Sequence, residues 1–252
     1  VENYFTERAA DNQPFFLSVG FFDPHHPFDP VEPYASMFQP EDMPMPVYQE
    51  GEEARMTPMT RTRFAPEFNL DPDKIRGTIA AYHATVSHVD AMVGRLMKAL
   101  RAQGLEDNTV VIFVSDHGEM LGDHGCLHKG ALFYEPAVHV PLIYRFPQSV
   151  GLHDIVDEGF TSHVDVAPTI AALAGIQGPQ LMQGRPLFDA DLQLRPQGAP
   201  DAALTEWREK PFNSDNPYHV ARCLVTDRWK YVYHAGCEFG ELYDLHNDPN
   251  EF

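Results

Sequence analysis

NTVVIFVSDHGEMLGDHG, residues 108–125, joins an apolar run to a polar, glycine-rich exit. Residues 109–114 are continuously apolar and β-branched, without the alternation of a half-solvated strand. That pattern predicts a central parallel strand covered on both faces. Ahead of it, apolar residues recur at Ile75, Ile79, Tyr82, Val86, Val89, Val93, Leu96 and Leu100, in steps of four and three. This spacing predicts an amphipathic helix over residues 73–103, capped by Asp71, begun by Pro72 and stopped at Gly104. His83, His88 and Asp90 fall off the stripe and read as a solvated face. A second run, PFFLSVGFF at residues 14–22, reads as a buried strand entering the Pro- and His-rich loop DPHHPFDPVEP. Strand, helix and strand in this order imply a right-handed crossover and an α/β sheet.

Farther out, residues 33–68 are irregular and rich in Pro, Met and acids, as in a long surface excursion of the kind that often carries function. HVPLIYRF, residues 139–146, repeats the strand signature, and SHVDVAPTIAALAG, residues 162–175, reads as a helix ending at a glycine. A Pro- and Gly-rich linker near 186–200 separates two characters, giving an α/β unit over 1–190 and an antiparallel unit over 200–252. Within the latter, HVARCLVTD and WKYVYH predict a hairpin turning at Asp227 and Arg228. The chain opens at Val1, inside what reads as a helix, so a segment upstream of it is expected.

Composition excludes several classes. With 37 acidic against 18 basic residues, the formal net charge is -19, which repels nucleic-acid phosphates and anionic membranes. No nucleic-acid or membrane partner is expected, and no apolar run reaches the roughly 18 residues of a membrane span. Cys126, Cys223 and Cys237 are too few and too scattered for a disulfide framework or a Cys-x-x-Cys metal site, although one disulfide stays open.

An acidic protein that acts on an anion needs a local positive site. Asp116 and His117 leave the strand end side by side, where two such groups can share a divalent cation if the backbone turns sharply at Gly118. The alternative is that Asp116 caps the next helix while His117 packs nearby. His25 and His26 sit between prolines that restrict their backbone, and Lys129 lies in a His-Lys-Gly run. A cation, a lysine and a histidine at one sheet edge suit hydrolysis of a sulfate or phosphate ester: cation and lysine neutralise charge, and histidine protonates the leaving oxygen.

YHATVSHVDAMVGRLMKALRAQGLEDNTVVIFVSDHGEMLGDHG resembles the sulfatase family of the alkaline-phosphatase-like superfamily. So do HVPLIYRFP, SHVDVAPTIAALAGI and ELYDLHNDPNE, in the family's order over almost the whole chain. The resemblance weakens in 33–68 and 176–215. It implies an alkaline-phosphatase-like α/β/α sandwich, truncated at its N-terminal side, with the start of a small antiparallel subdomain. It further implies Asp116 and His117 as ligands of a divalent cation. In the family this is usually calcium, with magnesium, manganese and zinc left open because His117 replaces a common asparagine with a nitrogen donor.

By the same resemblance, Lys129 binds the substrate's sulfate and His25 lies at its bridging or sulfate oxygens, while nothing carries over to His26. His124 and His128 are expected near the site without a role. Cys126 lies outside any Cys-x-Pro-x-Arg setting, so the formylglycine nucleophile belongs to a segment not contained in residues 1–252. The expected activity is sulfuric ester hydrolysis of a small sulfate ester, with this chain inactive by itself. Phosphonate or phosphate (di)ester hydrolysis, or non-catalytic binding of anions or a partner, are the alternatives. Self-association through uncovered apolar faces is also left open.

Overall fold

The computed structural model describes residues 1–11, 13–63, 71–195, 198–209 and 219–252. Parts of the 33–68 excursion, of the linker near 186–200 and of the variable stretch 176–215 therefore lie outside the described residues.

Helix α1 spans Glu2–Asp11 and α2 spans Pro58–Arg63. The dominant element is α3, Pro72–Ala102, whose 31 residues match the predicted helix to within a residue. Its start follows from local chemistry: the Asp71 side chain accepts from the Asp73 N–H, and Pro72 occupies the first turn. Gly104 ends it at φ +68°. Ile75, Ile79 and Leu100 are buried as expected, but Val86 is exposed. His83 and Asp90 are exposed, as expected of a solvated face, whereas His88 is half-buried. His88 stacks on Tyr34 at 5.0 Å and lies 3.6 Å from the Asp23 carboxylate, and Phe38 packs on His83 at 5.5 Å. The excursion that holds Tyr34 and Phe38 folds back over this face.

Strand β1, Val111–Val114, runs antiparallel to β2, Leu142–Arg145, with Val111 opposite Arg145 and Val114 opposite Leu142. This corrects the expected central parallel strand. The chain reverses through the short helix α4, Glu135–Val138, instead of crossing over a helix. Phe113 and Val114 are also exposed, so the strand is not covered on both faces. Residues 14–22 correct a second expectation. They belong to no strand among the described residues, and Phe16 and Phe22 are 72% and 71% exposed. A strand exists only through a ladder with a neighbour, and this run has none among the described residues. A short 3-10 turn, His163–Asp165, leads into helix α5, Val166–Leu173, where one helix over 162–175 was expected.

The C-terminal part is a four-stranded antiparallel meander: β3, Ala202–Glu209; β4, His219–Thr226; β5, Trp229–His234; and β6, Glu241–Asp244. The predicted hairpin is β4–β5, with Val225 opposite Lys230 across the turn. Strand β5 alternates strictly, burying Lys230, Val232 and His234 and exposing Trp229, Tyr231 and Tyr233. Residues 131–134 bind the two parts together by alternation. Leu132 and Tyr134 pack with Met56, Met120 and Cys126, whereas Ala131 and Phe133 pack with Ala221, Cys223 and Val232 of the meander. A buried ion network adds to this seam. Lys230, with no exposed side-chain surface, donates to the Phe133 carbonyl at 3.0 Å, to Glu135 at 2.7 Å and to Glu251. No helix of the described residues is long and apolar enough to cross a membrane. All three cysteines are free thiols, which leaves the disulfide unformed.

Candidate functional site

The exit of β1 is built to hold Asp116 and His117 at the strand end. Ser115 Oγ donates to the His117 carbonyl at 2.8 Å, and the His117 backbone N–H donates to Asp116 Oδ1 at 3.0 Å. The backbone amides of Gly118 and Glu119 donate to the carbonyls of Ala137 and Pro136. Gly118 is required for closeness and not for a left-handed turn. Its φ is not positive, yet a Cβ there would stand 1.9 Å from the Pro136 oxygen.

Asp116 and His117 fit a shared cation. The His117 Nδ1–H donates to the Gly118 carbonyl at 2.9 Å, which leaves the Nε2 lone pair free to ligate. That Nε2 lies 3.7 Å from Asp116 Oδ2, a separation one ion can bridge, and both side chains reach solvent.

His25 and Lys129 meet from 104 residues apart: Lys129 Nζ donates to His25 Nε2 at 2.6 Å. His25 Nδ1 donates to the His26 carbonyl at 2.7 Å, so the ring is oriented and Nε2 faces the lysine. The His25 and His117 rings lie 6.3 Å apart edge to face, which joins this pair to the Asp116–His117 pair. Burial is the main influence lowering the Lys129 pKa, opposed by the Glu119 and Asp116 carboxylates. All four residues singled out by sequence, His25, Asp116, His117 and Lys129, therefore fall in one region.

Three further residues lie there that sequence reasoning did not assign. His26 stacks on His25 at 4.1 Å and meets the His128 ring at 4.2 Å. With Glu119, these two histidines form a group whose ligand atoms all lie within 4.8 Å of one another. The His26 pKa is lowered by burial first, then by His128, Lys129, His25 and His117. The sequence signal for His128 was its place beside Lys129; nothing local marked Glu119.

His124 plays a different part from its neighbours. It is buried, accepts or shares a proton with Glu52 at 3.1 Å and stacks on Tyr134 at 3.9 Å. Asp123 next to it accepts from the Val47 N–H at 2.7 Å. The Gly122–Gly125 turn thus pins the excursion and the core. Burial pushes the Cys126 thiol up to about 12, which leaves it protonated and unsuited to attack.

The sulfatase family model matches residues 1–176, and a second model, the C-terminal part of N-sulphoglucosamine sulphohydrolase, matches residues 122–252. A multifunctional alkaline phosphatase superfamily protein of Trinickia caryophylli is 32% identical over 99% of this chain and 54% of its own length. An arylsulfatase of Clostridium perfringens is 29% identical over 98% of this chain and 50% of its own. The crystal structure of a phosphonate monoester hydrolase of Agrobacterium radiobacter superposes with a TM-score of 0.85 at 29% identity, covering 98% of this chain and 54% of that one. The chain spans about half the length of the relatives it matches. Its fold is α/β of the alkaline-phosphatase-like kind, and the chain belongs to the sulfatase family.

Proposed function

We propose that this chain supplies the cation-ligand, lysine and histidine side of a sulfuric ester hydrolase site. Residues 1–190 would form the catalytic α/β part and residues 200–252 the antiparallel subdomain. The observation that carries the reading is the 2.6 Å contact between Lys129 and His25, with Asp116 and His117 beside it. Asp116 and His117 are the residues that would hold a divalent cation; calcium is the family expectation, and the imidazole donor also admits magnesium, manganese or zinc. When bound, that ion polarises a sulfate oxygen, while the formylglycine expected in the whole protein supplies the attacking oxygen.

The chain's own residues do the rest. The Lys129 ammonium binds a sulfate oxygen and neutralises charge as the ester bond lengthens. His25, held by its Nδ1–H on the His26 carbonyl, presents Nε2 to the lysine. Protonated at Nε2 from solvent, the His25 imidazolium would give that proton to the departing alcohol oxygen, and Lys129 keeps its charge. The substrate is a small sulfate ester whose alcohol part would contact the 33–68 excursion and the C-terminal subdomain.

The test uses the whole protein with its nucleophile in place and an aryl sulfate as substrate. Lys129→Ala and Asp116→Ala should each lower kcat/KM by about 100-fold or more, the cost of losing one electrostatic stabiliser. Undiminished turnover in both variants overturns the assignment. Phosphonate monoester hydrolysis is the second reading, favoured by the TM-score of 0.85 to a phosphonate monoester hydrolase. Both substrates are singly charged tetrahedral oxyanion esters, so a cation and a lysine serve either. The ratio of aryl sulfate to aryl phosphonate turnover by the same protein separates the two.

A further inference from the structure

We propose that His26, Glu119 and His128 are the ligands of a second divalent-cation site, of zinc type, beside the Lys129–His25 pair. The three come from two separate stretches: the Pro-His-His-Pro loop, and the segment after β1 that holds both Glu119 and His128. Their ligand atoms lie within 4.8 Å of one another. The proposed hydrolysis uses none of their side chains, only the His26 carbonyl that orients His25, and the inference does not depend on the Asp116–His117 reading.

The independent observation is an unsatisfied carboxylate. The Glu119 side chain is only 6% exposed, and its Oε1 is buried without a hydrogen-bond partner among the described residues. Its Oε2 lies 4.0 Å from His128 Nδ1, too far for a hydrogen bond. The second orphan is His26 Nδ1, also buried without a partner. Leaving such groups unpaired forfeits their solvation without replacement, and the loss is greater for a charged group. A single cation between them would satisfy the carboxylate and engage the imidazoles.

The backbone holds the three in place. Glu119 N–H donates to the Pro136 carbonyl at 3.1 Å, and Met120 N–H donates to the His128 carbonyl at 2.9 Å, which closes the loop between two of the ligands. His128 sits at φ +66°, a conformation that few residues other than glycine adopt.

The donor set selects the ion. Two imidazole nitrogens and one carboxylate, with a fourth position open, are a zinc set of the kind that keeps water or substrate bound. Calcium takes six to eight oxygens, and three donors with two nitrogens do not approach that. Tetrahedral bonds of about 2.0–2.1 Å put ligand atoms roughly 3.3 Å apart, so the group must close by about 1.5 Å at its widest. The His128 ring, 49% exposed, is free to make that movement. The other candidate for neutralising Glu119 is the Lys129 ammonium, on which the Glu119 carboxylate acts.

The experiment is a zinc titration of the full 252-residue chain after chelator treatment, followed by calorimetry, with cobalt as an optical probe of coordination number. Wild type should bind one zinc tightly, and Asp116→Asn should keep that binding. Glu119→Gln and His128→Asn should each weaken it by more than about 100-fold, since even outer-shell partners of a metal are worth about 10–100-fold. Glu119→Gln preserves shape, and His128→Asn places a residue tolerant of positive φ at a half-exposed position. Melting of the metal-free variants checks that they fold, and if one does not, the other carries the test. Zinc binding abolished by Asp116→Asn and untouched by Glu119→Gln would assign the ion to Asp116 and His117 and overturn the proposal. Absence of tight binding in wild type would overturn it as well, leaving Lys129 as the partner of Glu119.

Discussion

His124, 3% exposed, and Glu52, 4% exposed, lie 3.1 Å apart, and burial moves both toward neutrality. Burial lowers His124 to about 4, with Asp248 opposing and Lys230 reinforcing, and it raises Glu52 to about 7. Taken alone, His124 would lose stability as pH falls from 6.5 toward 4, because the unfolded chain takes the proton first. Glu52 alone would gain stability as pH falls from 7 toward 4.5, because the folded chain takes the proton first. Together they hold one proton in either state across that window, so the two slopes cancel. Glu52→Gln removes the gain and leaves the loss. The stability difference between wild type and this variant should widen by about 1–2 kcal/mol between pH 7.5 and 5.5. Urea unfolding at the two pH values measures it, and parallel curves would refute the shared proton. At this same scale the sequence was partly legible. Asp116 and His117 announced themselves by standing together after a strand, whereas His124, equally polar, looked no different and turned out to be core.

The loop between β1 and β2 is the element on which the site depends, and its closeness rests on Gly118. A Cβ there would overlap the Pro136 carbonyl oxygen, which is backbone and cannot rotate away. Gly118→Ala should therefore cost about 1–3 kcal/mol, the usual range for overpacking. It should also shift Asp116 and His117, which immediately precede it. Thermal melting reads the first effect and a changed zinc or calcium affinity the second; a melting temperature equal to wild type would contradict the close approach. Helix α3 and the β4–β5 hairpin were legible because caps, periodicity and turn residues are local signals. The direction of β1 was not. Its composition fits any buried strand, and whether a neighbour runs parallel or antiparallel is set by residues 142–145, beyond a loop and a short helix.

Over the whole molecule, apolar side chains are left uncovered on residues 14–22 and on β1–β2. Phe16 is 72% exposed, Phe22 71%, Ile143 57% and Val114 40%. Exposed apolar groups of this size drive association. We propose that the isolated chain self-associates through these residues, with net charge of -19 limiting but not preventing it. Light scattering should give a mass above 28.4 kDa, and Phe16→Ser with Phe22→Ser should lower it. A monodisperse wild-type monomer at high concentration would sink the idea.

What the sequence determined by itself is whatever a few neighbouring residues can specify: the long helix, the places of β1 and β2, the β4–β5 hairpin and the Asp116–His117 corner. Through family resemblance it also named His25 and Lys129. Only the tertiary structure decided that Lys129 lies within 2.6 Å of His25, that β1 pairs antiparallel, and that His26, Glu119 and His128 converge. The reason is physical: each of these is a meeting of separate segments, fixed by how 131–134 and the loops pack and not by the chemistry of any one stretch.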